Sequence, residues 1–408
     1  MSTAIKPTEI VQKFSLPSRV PTRAKMFLKI LQKMSVGHLR LQTPEQMVLN
    51  FGDVSQPAAE LFIHDWRACA KIMSAADIGF AESYAQGWLD TPDLTAVLRV
   101  ASQNEAVLTR FFSGNVMKLW YRLKHILRPN TRKGSQKNIH AHYDIGNNFY
   151  ELWLDKTWTY SSAIFAGDFT KSLEQAQSDK YQRIIDQLGL KAGDRVLEIG
   201  CGWGGFAAHA AQAGIYVDGV TISQAQFDCA QVRIKSLQLS EWVRLEMCDY
   251  RDVTGQYDAV VSIEMFEAVG EAYWGEYFAV VNRLLKPKAK ALIQTITILE
   301  SRFEQYRSST DFIQQYIFPG GMLPSPERFE QLAIQNGFHS LNGYAFGQDY
   351  AETLRRWRSA FLAQIEAVQK LGFDERFIRI WQMYYAYCET GFDEGRTDVI
   401  QFLLQKQQ

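Results

Sequence analysis

The chain of 408 residues contains no run of 18 or more apolar residues, so no segment is expected to cross a bilayer as a helix. Its opening stretch, MSTAIKPTEIVQKF, lacks the apolar core of a secretory signal. Cysteine is scarce: Cys69, Cys201, Cys229, Cys248 and Cys388 are odd in number and form no C-x-x-C pair. That argues against a disulfide framework or a structural zinc site and for a reducing cytoplasm. An excess of charge is missing too, since 44 basic residues balance 44 acidic ones. Without a global field, an anionic partner has to be met by a local patch, and nucleic acid is not an expected partner. No internal repeat or low-complexity tract is present.

What is there is the balance of a globular protein, with 47% apolar and 22% charged residues. The length favours two domains, and the pattern along the chain divides it into three regions. Residues 1–115 carry helical patterns, such as 58–73, and no nucleotide-binding signature. Residues 116–141 are basic and aromatic. Residues 142–408 alternate strand-like runs with helical stretches, which predicts an α/β domain with a parallel sheet and crossover helices. Its expected strands are Arg195–Ile199, Tyr216–Thr221, Val243–Asp249, Tyr257–Ile263 and Lys290–Thr297, with a closing strand over 398–406. A helix is expected over Glu271–Leu285, stopped by Lys286-Pro287. The irregular stretch 300–328, which contains IFPGGMLPSP, reads as a lid or binding element.

VLEIGCGWGG is the strongest local signal. Gly200, Gly202 and Gly205 follow a strand and precede a helix, where glycine permits a tight turn and close approach of backbone to ligand. A dinucleotide site wants an acid at the end of the second strand for the ribose hydroxyls. Thr221 stands there, so the dinucleotide fingerprint is incomplete and an oxidoreductase is disfavoured. Glu198, two residues before the first glycine, and Asp249, ending the third strand, suit a cationic sulfonium cofactor better than a pyrophosphate.

With YSSAIF, VLEIGCGWGGFA, GVTISQAQ, DYRD, SIEMFEAVG and IFPGGMLPS in order, the sequence resembles the cyclopropane-fatty-acyl-phospholipid synthase (mycolic acid cyclopropane synthase) family over roughly residues 138–406. The resemblance implies an α/β, Rossmann-like class I methyltransferase with a mainly helical N-terminal lipid-binding domain. It implies S-adenosylmethionine as cofactor and methyl transfer to the double bond of a fatty acyl chain. Tyr160 and Ser161 would hold the cofactor's amino-acid end, and Glu198, Gly200, Gly202 and Gly204 would line the same pocket. Thr221 and Gln226 would meet the ribose, Asp249 and Tyr250 the adenine, and Ile263 the sulfonium.

The alkene is a weak nucleophile, so the cofactor carries the hard step and the protein must align, exclude water and tolerate a carbocation. Tyr316, Phe318, Tyr344, Phe346 and Tyr350 are the aromatic candidates, with core packing as the bland alternative for each. In cyclopropane-forming relatives a bound bicarbonate removes the last proton. Glu267, Tyr350 and Ile296 match its pocket, but Ser162 stands at the cysteine position, Gln294 at the histidine position and Ala268 at a further histidine position. Serine and glutamine still hydrogen-bond an anion, but glutamine carries no proton. Bicarbonate is therefore in doubt, Glu267 is the candidate base, and a methylene- or methyl-branched unsaturated chain is expected ahead of a cyclopropane.

Lys118, Arg122, Lys124, Arg128, Arg132, Lys133 and Lys137 interleave with Leu119, Trp120, Tyr121, Leu123, Ile126 and Leu127, a composition suited to an anionic leaflet. Lys25, Lys29 and Lys33 with Met26, Phe27 and Leu28 form a second such run. The expected location is therefore cytoplasmic, peripheral on the inner membrane face, with phospholipid acyl chains as partner and a homodimer left open. No metal is expected, since His140 and His142 have poor ligand spacing. The competing readings are a methyltransferase for another small molecule and a non-catalytic lipid-binding relative.

Overall fold

The computed structural model describes residues 19–110 and 145–407. The basic segment 116–141 and the histidines His140 and His142 lie outside the described residues. The chain divides into two compact units.

The first unit is built on a four-stranded sheet. Its strands are β1 (His38–Gln42), β2 (Val48–Gly52), β3 (Ala58–Ile63) and β4 (Leu89–Asp90), in the order β2-β1-β3-β4. Helices Thr22–Leu31, Arg67–Ala85, Leu94–Gln103 and Glu105–Leu108 accompany it. Helices outweigh strands here, but the helix expected over 58–73 is wrong in its first half. Ala59, Leu61 and Ile63 alternate inward, and β3 pairs in parallel with β1 from His38↔Ala58 to Gln42↔Phe62. Pairing overrides the weak helical preference of AAEL. The helix that follows is broken at Ala76 (φ 46°, ψ −120°). Gly79 beyond the break sits so close to the first half that a Cβ there would come within 2.2 Å of the Lys71 carbonyl oxygen. Phe27 and Leu28 are core residues of this unit, while Met26 is half exposed.

The second unit carries a seven-stranded sheet: β5 (Arg195–Ile199), β6 (Tyr216–Thr221), β7 (Val243–Met247), β8 (Tyr257–Ile263), β9 (Leu285–Ile298), β10 (Phe338–Ala345) and β11 (Thr397–Lys406). The order is β10-β11-β9-β8-β5-β6-β7. Strands β5 to β9 are mutually parallel, and β11 and β10 add antiparallel pairs at one edge. The central parallel strands β5 and β8 are buried on both faces, as crossover helices require, while the edge strand β7 is half exposed. Leu197, Ile199, Val260, Ala291 and Ile293 enter one core, and Val196, Ala259, Val261 and Leu292 the other.

Strands β5, β6 and β8 match their expected bounds. β7 stops at Met247, because Asp249 caps a short 3-10 turn, Tyr250–Asp252. The expected Glu271–Leu285 helix is a 3-10 turn over Glu271–Tyr273 followed by an α-helix over Trp274–Leu284. Lys286-Pro287 ends it while already lying in β9. Pro287 is tolerated there because the ladder with β8 skips from Leu285 to Lys290 and that with β11 starts only at Lys290. β10 was not expected; its apolar residues Phe338, Leu341 and Tyr344 stand three apart and the strand is mostly exposed, so no period-two apolar signal marks it.

Candidate active site

Five parallel strands end on one side of the sheet, and order reverses at β5, which has β6 on one flank and β8 on the other. Such a switch point leaves a crevice beyond the carboxyl ends of the strands. The cavity found there is lined by Glu198 and Gly200 at the end of β5, Thr221 at the end of β6, Asp249 and Tyr250 after β7, and Ile263, Glu264 and Glu267 at and beyond the end of β8. The 300–328 stretch contributes Tyr306, Ile313, Phe318, Pro319, Met322 and Leu323. It folds as short helices, Phe303–Arg307 and Phe312–Tyr316, the second fixed by a capping box between Asp311 and Gln314.

The cofactor side is organised by the glycine turn. The N–H groups of Gly200 and Cys201 both donate to the Val220 carbonyl, tying the turn to β6. Gly202 has φ 52° and open space where a Cβ would project, a cradle that only glycine leaves clear. Trp203 donates to Asn147, whose amide donates to the Ala225 carbonyl, so the turn is held from behind. Thr221 donates to the Gln226 side chain at 3.2 Å. Asp249 is held by Arg251 at 2.6 Å. Glu198 is 3% exposed and its Oε2 has no hydrogen-bond partner among the described residues. Burial pushes its carboxyl well above the usual range, against the attraction of Lys180. A buried acceptor without a donor, beside an open glycine cradle, fits an adenosine-bearing cofactor with an ammonium group.

Of the residues expected to hold the cofactor, Tyr160, Ser161, Glu198, Gly200, Gly202, Thr221, Gln226, Asp249, Tyr250 and Ile263 line this one cavity. Gly204 does not. It caps the following helix in a left-handed conformation (φ 77°), and its open side faces Ala230 and Ile234.

The catalytic side differs more from expectation. Glu264, which sequence reasoning passed over, is the centre of a converging set of donors. The Ser162 N–H donates to its Oε1 at 2.9 Å, the Gln294 amide to the same oxygen at 2.7 Å, and the Tyr350 hydroxyl to Oε2 at 2.7 Å. Ser162 acts through its backbone; its hydroxyl turns away to the Ala163 carbonyl. Ser162 and Gln294 are fully buried behind the cavity wall. The Gln294 amide is oriented by a chain: Arg183 donates to Gln401 Oε1 at 2.6 Å, and Gln401 donates to Gln294 Oε1 at 3.0 Å. Arginine only donates, so the orientation of both amides follows.

Burial raises the pKa of Glu264, while Lys180 and the three hydrogen bonds pull it back down. Glu267 lines the same cavity; the Ile296 N–H donates to its Oε1, and its Oε2 has no hydrogen-bond partner among the described residues. Burial and the neighbouring Glu264 push it up to about 8. When two carboxyls share a site, the one with more donors keeps the charge and the other keeps the proton. The three donors favour the ionised form of Glu264, while burial and the neighbouring carboxyl favour the protonated form of Glu267.

Tyr316, expected near the chemistry, lies outside the cavity and packs on Phe312. Tyr344 stacks on Phe346 and carries Arg183 over its ring, so neither reaches the site. Phe318 and Tyr350 do line it, joined by Tyr160, Tyr306, Tyr384 and Phe392. Tyr160 and Tyr384 are hydrogen-bonded at 2.9 Å. Tyr384 comes from the distant helix Glu375–Asp393 and carries no motif. Glu264 had one available signal: an acid just after a buried parallel strand, where ligands bind.

A family model described as mycolic acid cyclopropane synthetase matches residues 130–402. A tuberculostearic acid methyltransferase of Mycobacterium tuberculosis is 37% identical over 92% of this chain and 90% of its own. The cyclopropane-fatty-acyl-phospholipid synthase of Escherichia coli K12 is 35% identical over 79% of this chain and 81% of its own. Among solved structures, a mycolic acid cyclopropane synthase complexed with S-adenosylhomocysteine and CTAB superposes with a TM-score of 0.62 at 31% identity. It covers 66% of this chain and 98% of that one.

Proposed function

The chain belongs to the mycolic acid cyclopropane synthetase family and is an S-adenosylmethionine-dependent methyltransferase, and on that premise we propose that it methylates the double bond of unsaturated phospholipid acyl chains without closing a ring. The product is a methylene- or methyl-branched chain. The observation that carries this reading is the occupation of the anion pocket by the protein itself. The Ser162 N–H, the Gln294 amide and the Tyr350 hydroxyl, from three of the positions that the resemblance assigned to bicarbonate, all donate to Glu264.

When bound, the cofactor supplies an electrophilic methyl. Tyr160 and Ser161 hold its amino-acid end and Gln226 its ribose. The aromatic cavity excludes water and presents ring faces to the carbocation left on the acyl chain when the alkene pair has formed the new carbon–carbon bond. Glu264 accepts the proton whose departing bond pair becomes the new double bond. Glu267, protonated, stays neutral and does not compete. A mobile anion beside Glu264 would meet a like charge, and desolvating a second one there is unfavourable.

Association with the membrane surface belongs to the same proposal: no helix among the described residues is long and apolar enough to cross a membrane, so the acyl chain has to be drawn from the leaflet into the cavity. The test is mass spectrometry of lipids after incubation of the protein with methyl-labelled S-adenosylmethionine and liposomes of monounsaturated phospholipid. A gain of one CH₂ that becomes a branched saturated chain on hydrogenation is expected. A cyclopropane product overturns the absence of ring closure, and unlabelled lipid overturns the substrate.

A further inference from the structure

Lys180 is a fully buried residue of the helix Leu173–Leu188 that the chemistry above does not use. Its ammonium donates to Ser161 Oγ at 2.7 Å, its one hydrogen bond among the described residues, and sits 4.8 Å from the Tyr181 ring centre. One turn earlier, Gln177 donates to the Ser161 carbonyl at 2.9 Å, so this helix grips Ser161 at two atoms. An ammonium has only hydrogens to give, so Ser161 Oγ is the acceptor, and the serine's own proton is left to point elsewhere. Ser161 lines the cavity on the cofactor side. Its hydroxyl therefore faces a ligand as a donor backed by a positive charge, which selects an anionic acceptor.

We propose that Lys180 is a positioning residue for the cofactor, holding the Ser161 hydroxyl as a donor to the cofactor's carboxylate and acting as the buried countercharge to it. The zwitterionic amino-acid end then meets opposite charges at two places: Glu198 takes the ammonium, and the Lys180–Ser161 pair takes the carboxylate. The charged groups facing Lys180 are Glu264 after β8, Asp155 in the loop before the helix and Glu198 on β5, all of which favour its charged form. Burial outweighs them and brings its pKa down to about 7. The relay is consequently complete below that pH and weakens above it.

The proposal rests on the cofactor assignment, so its test compares two cofactor fragments. S-adenosylhomocysteine carries the carboxylate; 5′-methylthioadenosine lacks the whole amino-acid end. Calorimetric titration of the full chain is expected to show that Lys180→Met weakens S-adenosylhomocysteine roughly 10-fold or more, with 5′-methylthioadenosine unchanged. Unchanged nucleoside binding doubles as the proof of folding. In the wild type the preference for S-adenosylhomocysteine shrinks as pH rises through about 7, and in Lys180→Met it is flat. Ser161→Ala, which leaves the ammonium in place, is measured beside it and loses the same carboxylate-specific share. Equal losses for both ligands in Ser161→Ala, or no loss in either variant, overturn the proposal. A wild type that binds neither ligand overturns the cofactor assignment instead.

Discussion

Glu264 has φ 50°, the left-handed region that glycine enters freely and a glutamate enters at a cost of about 1–3 kcal/mol. Its three donors offset that cost and fix the carboxylate in one place. Glu264→Gln keeps the size and loses the base; methyl transfer to lipid is expected to fall about 10²-fold or more. Glu264→Gly relieves the backbone and clears the pocket while Ser162, Gln294 and Tyr350 still point inward. Added bicarbonate is expected to restore turnover in that variant and to leave the wild type unaffected, as read by labelled-methyl incorporation with and without the salt. Glu267 gives a second prediction, on stability. Its folded pKa of about 8 lies above the ordinary value near 4.5. The folded chain therefore holds a proton that the unfolded chain has lost, and stability from this group falls as pH rises between those values. Glu267→Gln removes that slope, and the difference between the two denaturation curves should widen steadily from pH 5 to pH 8.

At the level of elements, β11 does more than close the sheet. Gln401 on β11 accepts from Arg183 on the helix Leu173–Leu188 and passes its amide to Gln294 on β9. Gln401→Leu frees the Gln294 amide to flip, which would set an oxygen against the Glu264 carboxylate. The expected result is a fall in kcat of about 10- to 100-fold with KM for lipid unchanged, since a misoriented hydrogen bond to a charged group is worth about 1.5–3 kcal/mol. In the first unit the broken helix Arg67–Ala85 depends on Gly79. Gly79→Ala places a methyl 2.2 Å from the Lys71 carbonyl oxygen, and backbone there cannot yield. A loss of about 1–3 kcal/mol is expected, seen as faster hydrogen exchange across that helix.

For the molecule as a whole, zero net charge means that attraction to an anionic leaflet depends on local basic runs. Changing Lys118, Arg122, Lys124 and Arg128 together to glutamine should weaken binding to anionic vesicles by about 10²–10³-fold, at about 1 kcal/mol per charge. Cofactor binding should stay as it was. How far the sequence carries is decided by the same local-versus-distant distinction. β5, β6 and β8 were legible because apolar runs ended in turn chemistry, and the cofactor wall followed because its residues sit just after those runs. β3 was hidden, since a parallel partner rather than its own composition makes it a strand. Lys180, Gln401 and Tyr384 were hidden because no motif marks them; Gln401 and Tyr384 come from elements far along the chain, and Lys180 from the helix between Ser161 and β5. Glu264 was overlooked beside Glu267, the residue the family pattern drew attention to.

The left-handed glutamate also bears on how such an enzyme fits its surroundings. Glycine and glutamate codons can differ by a single nucleotide, so a proton acceptor drawn from solution and one fastened to the chain are neighbours in mutational space. On the proposed reading the enzyme carries its own acceptor, and the expected outcome is the same rate of lipid alkylation in thoroughly degassed medium as in air.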